Sequence, residues 1–225
     1  MVYKGIIFDF NGVLLWDSPF HEKAWNEMSK KLRGKPFTQE EIETIIHGRI
    51  TKDTLAYLVG RDLTREESKE LDDEKEQMYM QMCIDNINDY QLSQGAIKLL
   101  DFLVEKNIPH TIATASPKIL LDFYEKHLYL SKWFDLNKIV YNDFTFPGKP
   151  APDIFLRGAE KLGLDPKDCI IIEDARSGIA AAKAAGIGYI IALCPKETHE
   201  ALRQAEGVNE VITTLNEFNK SLFKI

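Results

Sequence analysis

The stretch KGIIFDFNGVL, residues 4–14, carries the reading of the whole chain. Gly5, Ile6, Ile7 and Phe8 form an unbroken apolar run that stops at the carboxylate of Asp9. A run of this length without alternation reads as a strand covered on both faces, as in a parallel sheet. Residues 109–114, 138–141, 169–172 and 189–193 read the same way. Helical patterns lie between them at 95–106, 117–128, 152–162 and 177–185, the last two closing near Gly163 and Gly186, where a left-handed residue ends a helix. Strands alternating with helices predict an α/β fold built on a doubly wound, Rossmann-like parallel sheet.

One connection is too long. A crossover between parallel strands needs about a dozen residues, and the segment between Phe8 and Pro109 is many times that. From 17 to 90 it is rich in Glu, Lys, Leu and Met, has proline only at Pro19 and Pro36, and spaces Leu55, Leu58 and Val59, then Met78 and Met82, as helices do. The expected organisation is an α/β core of residues 1–16 and 91–225 with an inserted all-helical domain at 17–90. Met78, Met80 and Met82 read as core residues of that insertion.

Composition narrows the function classes. The chain has 225 residues, 44% hydrophobic and 28% charged, which excludes disordered and fibrous readings. Its formal charge of -7 and interspersed charges give no phosphate-tracking surface, so no nucleic-acid partner is expected. No apolar run reaches the roughly 20 residues that cross a bilayer, and no secretory leader is legible, so no membrane partner is expected. Cys83, Cys169 and Cys194 are odd in number and far apart, which disfavours a disulfide framework or zinc site and fits a cytoplasmic setting. Nothing implies an obligate protein partner.

Open α/β sheets bind ligands beyond the carboxyl ends of their strands. Those positions here carry Asp9, Thr114-Ala115-Ser116, Gly148-Lys149-Pro150 and Glu173-Asp174. Carboxylates that can hold a hard cation, together with a hydroxyl and an ammonium that can receive phosphate oxygens, suit phosphoryl transfer. Ser116 and Pro117 are also expected to open a helix whose free N–H groups favour an anion. Each residue alone has an ordinary structural explanation, since Asp caps helices and Lys149 could be a solvated loop residue. Their coincidence at four strand ends does not.

These four ordered motifs resemble the haloacid dehalogenase superfamily, in its phosphatase and β-phosphoglucomutase-like branch with a helical cap. The similarity rests on residues 7–14, Asp17-Ser18, Ala113-Thr114-Ala115-Ser116, residues 148–155 and residues 173–179. It implies that Asp9 is a nucleophile forming an aspartyl-phosphate. It further implies that Asp9, the Asn11 carbonyl and Asp174 hold Mg2+, with Glu173 direct or through water, and that Thr114, the Ala115 amide and Lys149 hold the phosphoryl oxygens. The substrate would be a small phosphorylated metabolite, plausible candidates being sugar phosphates. From the helical insertion, His21 and the loop of His47, Gly48 and Arg49 would face it, while Ser116 and Lys118 could meet a distal phosphate.

Position 11 departs from the pattern. The family's phosphatases and mutases carry there an Asp that moves a proton; an amide donates and accepts hydrogen bonds but cannot exchange a proton at useful pH. Three readings stay open: a natural Asn11 with slow turnover or another proton carrier such as His21, an engineered substitution that traps a complex, or a protein that binds phosphates without turning them over. A second departure bears on mutase chemistry, because Thr51 stands where family mutases place an Arg for the second phosphate. Hydrolysis is therefore expected over β-phosphoglucomutase activity.

Overall fold

A computed structural model describes residues 2–46 and 51–223, apart from the side chains of Glu43 and Thr198. The described chain divides into two compact units, Met1–Trp16 with Gln91–Ile225, and Asp17–Tyr90.

The first unit contains all six named strands: β1 (Gly5–Phe8), β2 (His110–Pro117), β3 (Val140–Asn142), β4 (Cys169–Glu173), β5 (Tyr189–Leu193) and β6 (Glu210–Ile212). They form one sheet in the order β3-β2-β1-β4-β5-β6 with parallel neighbours throughout. The register sets Phe8 against both Ile112 and Ile172. The strand order reverses at β1, and the crevice at such a reversal is where doubly wound sheets bind ligands. Beside it, Ile7, Ile171 and Ala113 meet Phe155, Ile179 and Ala182 in a dry core cluster.

The second unit is helical: α1 (Ser18–Arg33), α2 (Gln39–Glu41) running into a wider turn at Ile42–Ile46, α3 (Thr51–Val59) and α4 (Arg65–Asp85). Thr64 opens α4 with a capping box, its hydroxyl accepting the Glu67 N–H while Glu67 accepts the Thr64 N–H. Trp25, Met28, Leu55 and Leu58 are buried at this unit's centre, with Met78 packed against them. Back in the first unit the helices are α5 (Ala96–Glu105), α6 (Lys118–Leu128), α7 (Asp153–Leu162), α8 (Arg176–Ala184) and α9 (His199–Arg203). The three cysteines are free and buried.

Three local expectations are corrected. Strand β2 does not end at Thr114 but continues to Pro117 through an irregular register after Ala113, because the Thr114 hydroxyl accepts the Ser116 N–H at 3.1 Å and holds the segment extended. Helix α6 accordingly starts at Lys118 with Pro117 at its cap, so Ser116 lies in the strand rather than at the head of the helix. The third strand starts at Val140, since Asp135 accepts the Asn137 N–H and winds Leu136–Lys138 into a tight turn. Strand β6 is an addition: at three residues on the sheet edge it is too short to show a pattern.

Candidate active site

Asp9 follows β1 directly and its backbone N–H bonds the Ile172 carbonyl at 3.0 Å, which ties the end of β1 to β4. Its side chain is buried, as is Glu173 at the end of β4. Asp9, Glu173 and Asp174 each offer a carboxylate oxygen within 4.8 Å of the others. Lys149 spans two of them, its ammonium donating to Asp9 Oδ1 at 2.6 Å and to Glu173 Oε2 at 2.8 Å. The other Glu173 oxygen accepts the Ala175 N–H at 3.2 Å.

Two glycines make room for these acids. Gly12 adopts φ of +80°, and a Cβ there would lie 2.0 Å from Asp174 Oδ2. A Cβ on Gly178 would lie 2.0 Å from the Glu173 carboxyl carbon. The backbone thus approaches both carboxylates as closely as only glycine allows.

Burial and mutual charge set the electrostatics of the cluster. Burial, reinforced by the charge of Glu173, pushes the Asp9 carboxyl up to about 7 despite the opposing pull of Lys149. Burial and then the charges of Glu173 and Asp9 push Asp174 well above the usual carboxylate range. Burial disfavours the Lys149 ammonium, but Asp9 and Glu173 outweigh it and raise that group. Three carboxylates against one ammonium leave negative charge in a desolvated space, where a cation would favour ionisation. An all-oxygen donor set fits a hard divalent ion such as Mg2+.

The other expected residues are distributed differently. Asn11 lies beside the cluster in sequence, but its side chain bonds Tyr124 and Ser116, the amide nitrogen donating to the phenol oxygen at 2.9 Å and the amide oxygen accepting from Ser116 at 2.7 Å. The Thr114 hydroxyl reaches the same amide oxygen at 3.5 Å, while Ala115 is exposed. Lys118 pairs with Asp122 one turn along the exposed face of α6, which gives its ammonium a partner other than a substrate phosphate. His21 belongs to a polar cluster of the helical unit. It stacks on Tyr79 at 4.0 Å, with Nε2 3.2 Å from Asp17 Oδ2 and Nδ1 3.1 Å from the buried Lys75 ammonium. His47, Gly48 and Arg49 lie outside the described residues.

Sequence reading missed Tyr124. It sits within the apolar pattern of α6 and is fully buried, and a buried phenol needs a hydrogen-bond partner. That requirement was the one available signal, and it could not name Asn11.

Known proteins match this chain in sequence and in fold. The sequence pattern of the haloacid dehalogenase-like hydrolases covers residues 3–186. The chain belongs to this family. Among its relatives, "Phosphorylated carbohydrates phosphatase" of Thermotoga maritima is 30% identical over 191 residues, 83% of each chain. "Fructose-1-phosphate phosphatase YqaB" of Escherichia coli is 30% identical over 192 residues, 84% of this chain and 95% of that protein. "Beta-phosphoglucomutase" of Bacillus subtilis is 33% identical over 191 residues, 82% of this chain and 80% of that protein. A solved HAD hydrolase of family IA, variant 3, from Entamoeba histolytica superposes with a TM-score of 0.91 at 39% identity, covering 96% of both chains. The protein is thus a haloacid dehalogenase-like enzyme of the phosphatase and phosphotransferase kind, and none of its described helices is long and apolar enough to cross a membrane.

Proposed function

We propose that this protein is a magnesium-dependent phosphohydrolase of small phosphorylated sugars, with Asp9 as nucleophile. The observation that carries the reading is the cluster of Asp9, Glu173 and Asp174, whose buried pair Asp9 and Glu173 is bridged by Lys149. Names of relatives support the substrate class: a phosphatase of phosphorylated carbohydrates and a fructose-1-phosphate phosphatase.

In this reading an Asp9 carboxylate oxygen bonds to phosphorus as the bond to the ester oxygen breaks, giving an aspartyl-phosphate and a free sugar hydroxyl. Water then attacks phosphorus, releasing inorganic phosphate and restoring Asp9. Splitting one difficult displacement into two is what a carboxylate nucleophile achieves. Lys149 holds Asp9 in place and offsets the repulsion between an anionic nucleophile and an anionic ester. Asp9, Glu173, Asp174 and the Asn11 carbonyl would hold Mg2+, which when bound adds positive charge for the phosphoryl oxygens. Asn11 cannot carry the proton that the leaving oxygen needs, so water supplies it in this reading.

A second reading, β-phosphoglucomutase activity, is favoured by the Bacillus subtilis relative and opposed by Thr51, since Thr cannot replace the bidentate fork of a guanidinium on a second phosphate. The test is a screen of sugar phosphates with Mg2+, following free phosphate. A parallel arm supplies β-glucose 1-phosphate with catalytic 1,6-bisphosphate and follows glucose 6-phosphate. Release of phosphate from a sugar phosphate is expected. Isomerisation without release would replace hydrolase by mutase, and binding of phosphate with neither reaction would leave a phosphate-binding protein.

A further inference from the structure

Asn11, Ser116 and Tyr124 form a closed ring of hydrogen bonds. Asn11 Nδ2 donates to the Tyr124 oxygen at 2.9 Å, and the Ser116 hydroxyl donates to Asn11 Oδ1 at 2.7 Å. The two hydroxyl oxygens are 3.3 Å apart. That third contact closes the ring. Tyr124 is fully buried with its ring 4.5 Å from that of Phe10, so it has little freedom to leave. An amide completes such a ring because it carries a donor and an acceptor side by side. A carboxylate carries acceptors only, so both hydroxyls would have to turn toward it and the link between them would be lost.

The residue after Asn11 is Gly12, and Asn-Gly is the dipeptide most open to deamidation because glycine does not shield its own amide nitrogen. In that reaction Gly12 N bonds to Asn11 Cγ, the Cγ–Nδ2 bond breaks and ammonia leaves. Water then opens the resulting succinimide to aspartate or isoaspartate. The attack requires the side chain to rotate out of the ring. It also requires the Gly12 N–H to give up the Leu15 carbonyl, to which it donates at 2.7 Å.

We propose that Tyr124 and Ser116 are positioning residues that lock residue 11 as an amide and thereby protect Asn11-Gly12 from deamidation in the folded protein. The proposal stands apart from the phosphatase reading, because its measure is peptide mass rather than turnover.

The full chain, Tyr124→Phe and Ser116→Ala are held folded in mildly alkaline buffer, and the peptide containing residue 11 is followed by mass spectrometry for aspartate and isoaspartate. Wild-type protein unfolded in urea gives the unprotected rate. Folded wild type should convert at least about tenfold more slowly than the unfolded chain, and each folded variant about fivefold faster than folded wild type, the factor expected from losing one ordinary hydrogen bond. Ile187→Ala, which removes a buried side chain from the core cluster under α8, controls for general destabilisation and should keep the wild-type rate. Both ring variants converting at the folded wild-type rate, or Ile187→Ala converting as fast as they do, would overturn the proposal. A measurement free of variants accompanies it: the Asn11 Nδ2 protons should exchange with solvent more slowly than those of the exposed Asn107, and equal exchange would also overturn it.

Discussion

The Lys149 ammonium donates to Asp9 Oδ1 across 2.6 Å in a space where both side chains are about nine-tenths buried. The contact joins the loop after β3 to the end of β1, so a residue far along the chain fixes the proposed nucleophile. Lys149→Met removes the ammonium that bridges Asp9 and Glu173. Breaking a buried pair on one side leaves an uncompensated charge and costs about 3 to 5 kcal/mol. The expected result for metal-free protein is a clear fall in melting temperature at neutral pH, together with a loss of phosphatase rate of roughly 10²-fold or more. Calorimetry and a phosphate-release assay check the two halves separately.

Gly12→Ala should be as damaging as a change to the acids themselves. Alanine is strained at φ of +80°, and its methyl carbon would overlap Asp174 Oδ2 at 2.0 Å. The carboxylate must move, so binding of Mg2+ should weaken more than folding does. Isothermal titration with Mg2+ against the melting temperature of the same variant checks this. Metal affinity equal to wild type in folded Gly12→Ala would show that Asp174 is not a ligand.

Metal and pH should act on stability in opposite directions. Asp9 rises from an ordinary 3.8 to about 7, and Asp174 moves the same way, so the metal-free folded protein holds protons that the unfolded chain releases. Its stability is therefore highest at low pH in this respect and falls as pH rises from about 4 through about 7. Binding of Mg2+ to the ionised acids stabilises the fold by mass action. The difference in melting temperature between Mg2+-loaded and metal-free protein should accordingly widen from about pH 5 to about pH 8. An unchanged difference would contradict the acidic cluster as the metal site.

The fold and the charged half of the site were legible for one physical reason. Buried parallel strands are unbroken apolar runs, and the residues that interrupt them, Asp9 and Glu173-Asp174, stand at the strand ends beside the reversal, where open α/β sheets in general bind ligands. What stayed illegible depends on contacts between distant segments. Thr114 prolongs β2 through a local hydrogen bond, and that shift takes Ser116 out of the helix and toward Asn11. The charge of Lys118 is visible in the sequence, whereas its pairing with Asp122 one turn along α6 depends on where that helix starts. Tyr124 looked like one more core aromatic, since nothing in the spacing of α6 says which polar group its hydroxyl meets. The edge strand β6 is simply too short for periodicity to register.

Asn11→Asp should raise phosphatase activity by roughly 10²-fold, the usual contribution of a positioned proton carrier. An aspartate there can protonate a leaving oxygen and later deprotonate water, which the amide held by Tyr124 and Ser116 cannot. Rates must be taken on protein whose residue 11 has been verified by mass, since deamidation yields the same aspartate. Equal rates for the verified amide and the variant would show that residue 11 does not carry the proton.

The central claim is that Asp9 is the nucleophile, and it is tested most directly by phosphate release from a sugar phosphate in the presence of Mg2+. The comparison is between Asn11→Asp protein and the same protein carrying Asp9→Asn as well. An amide at position 9 nearly matches the carboxylate in shape but cannot form the acyl phosphate. The expected result is a fall of on the order of 10³-fold or more, with no phosphorylated peptide recovered from acid-quenched double variant. Recovery of the phosphoryl group on the peptide containing Asp9 in the single variant supports the account. Phosphate release that persists at an undiminished rate in the double variant contradicts it.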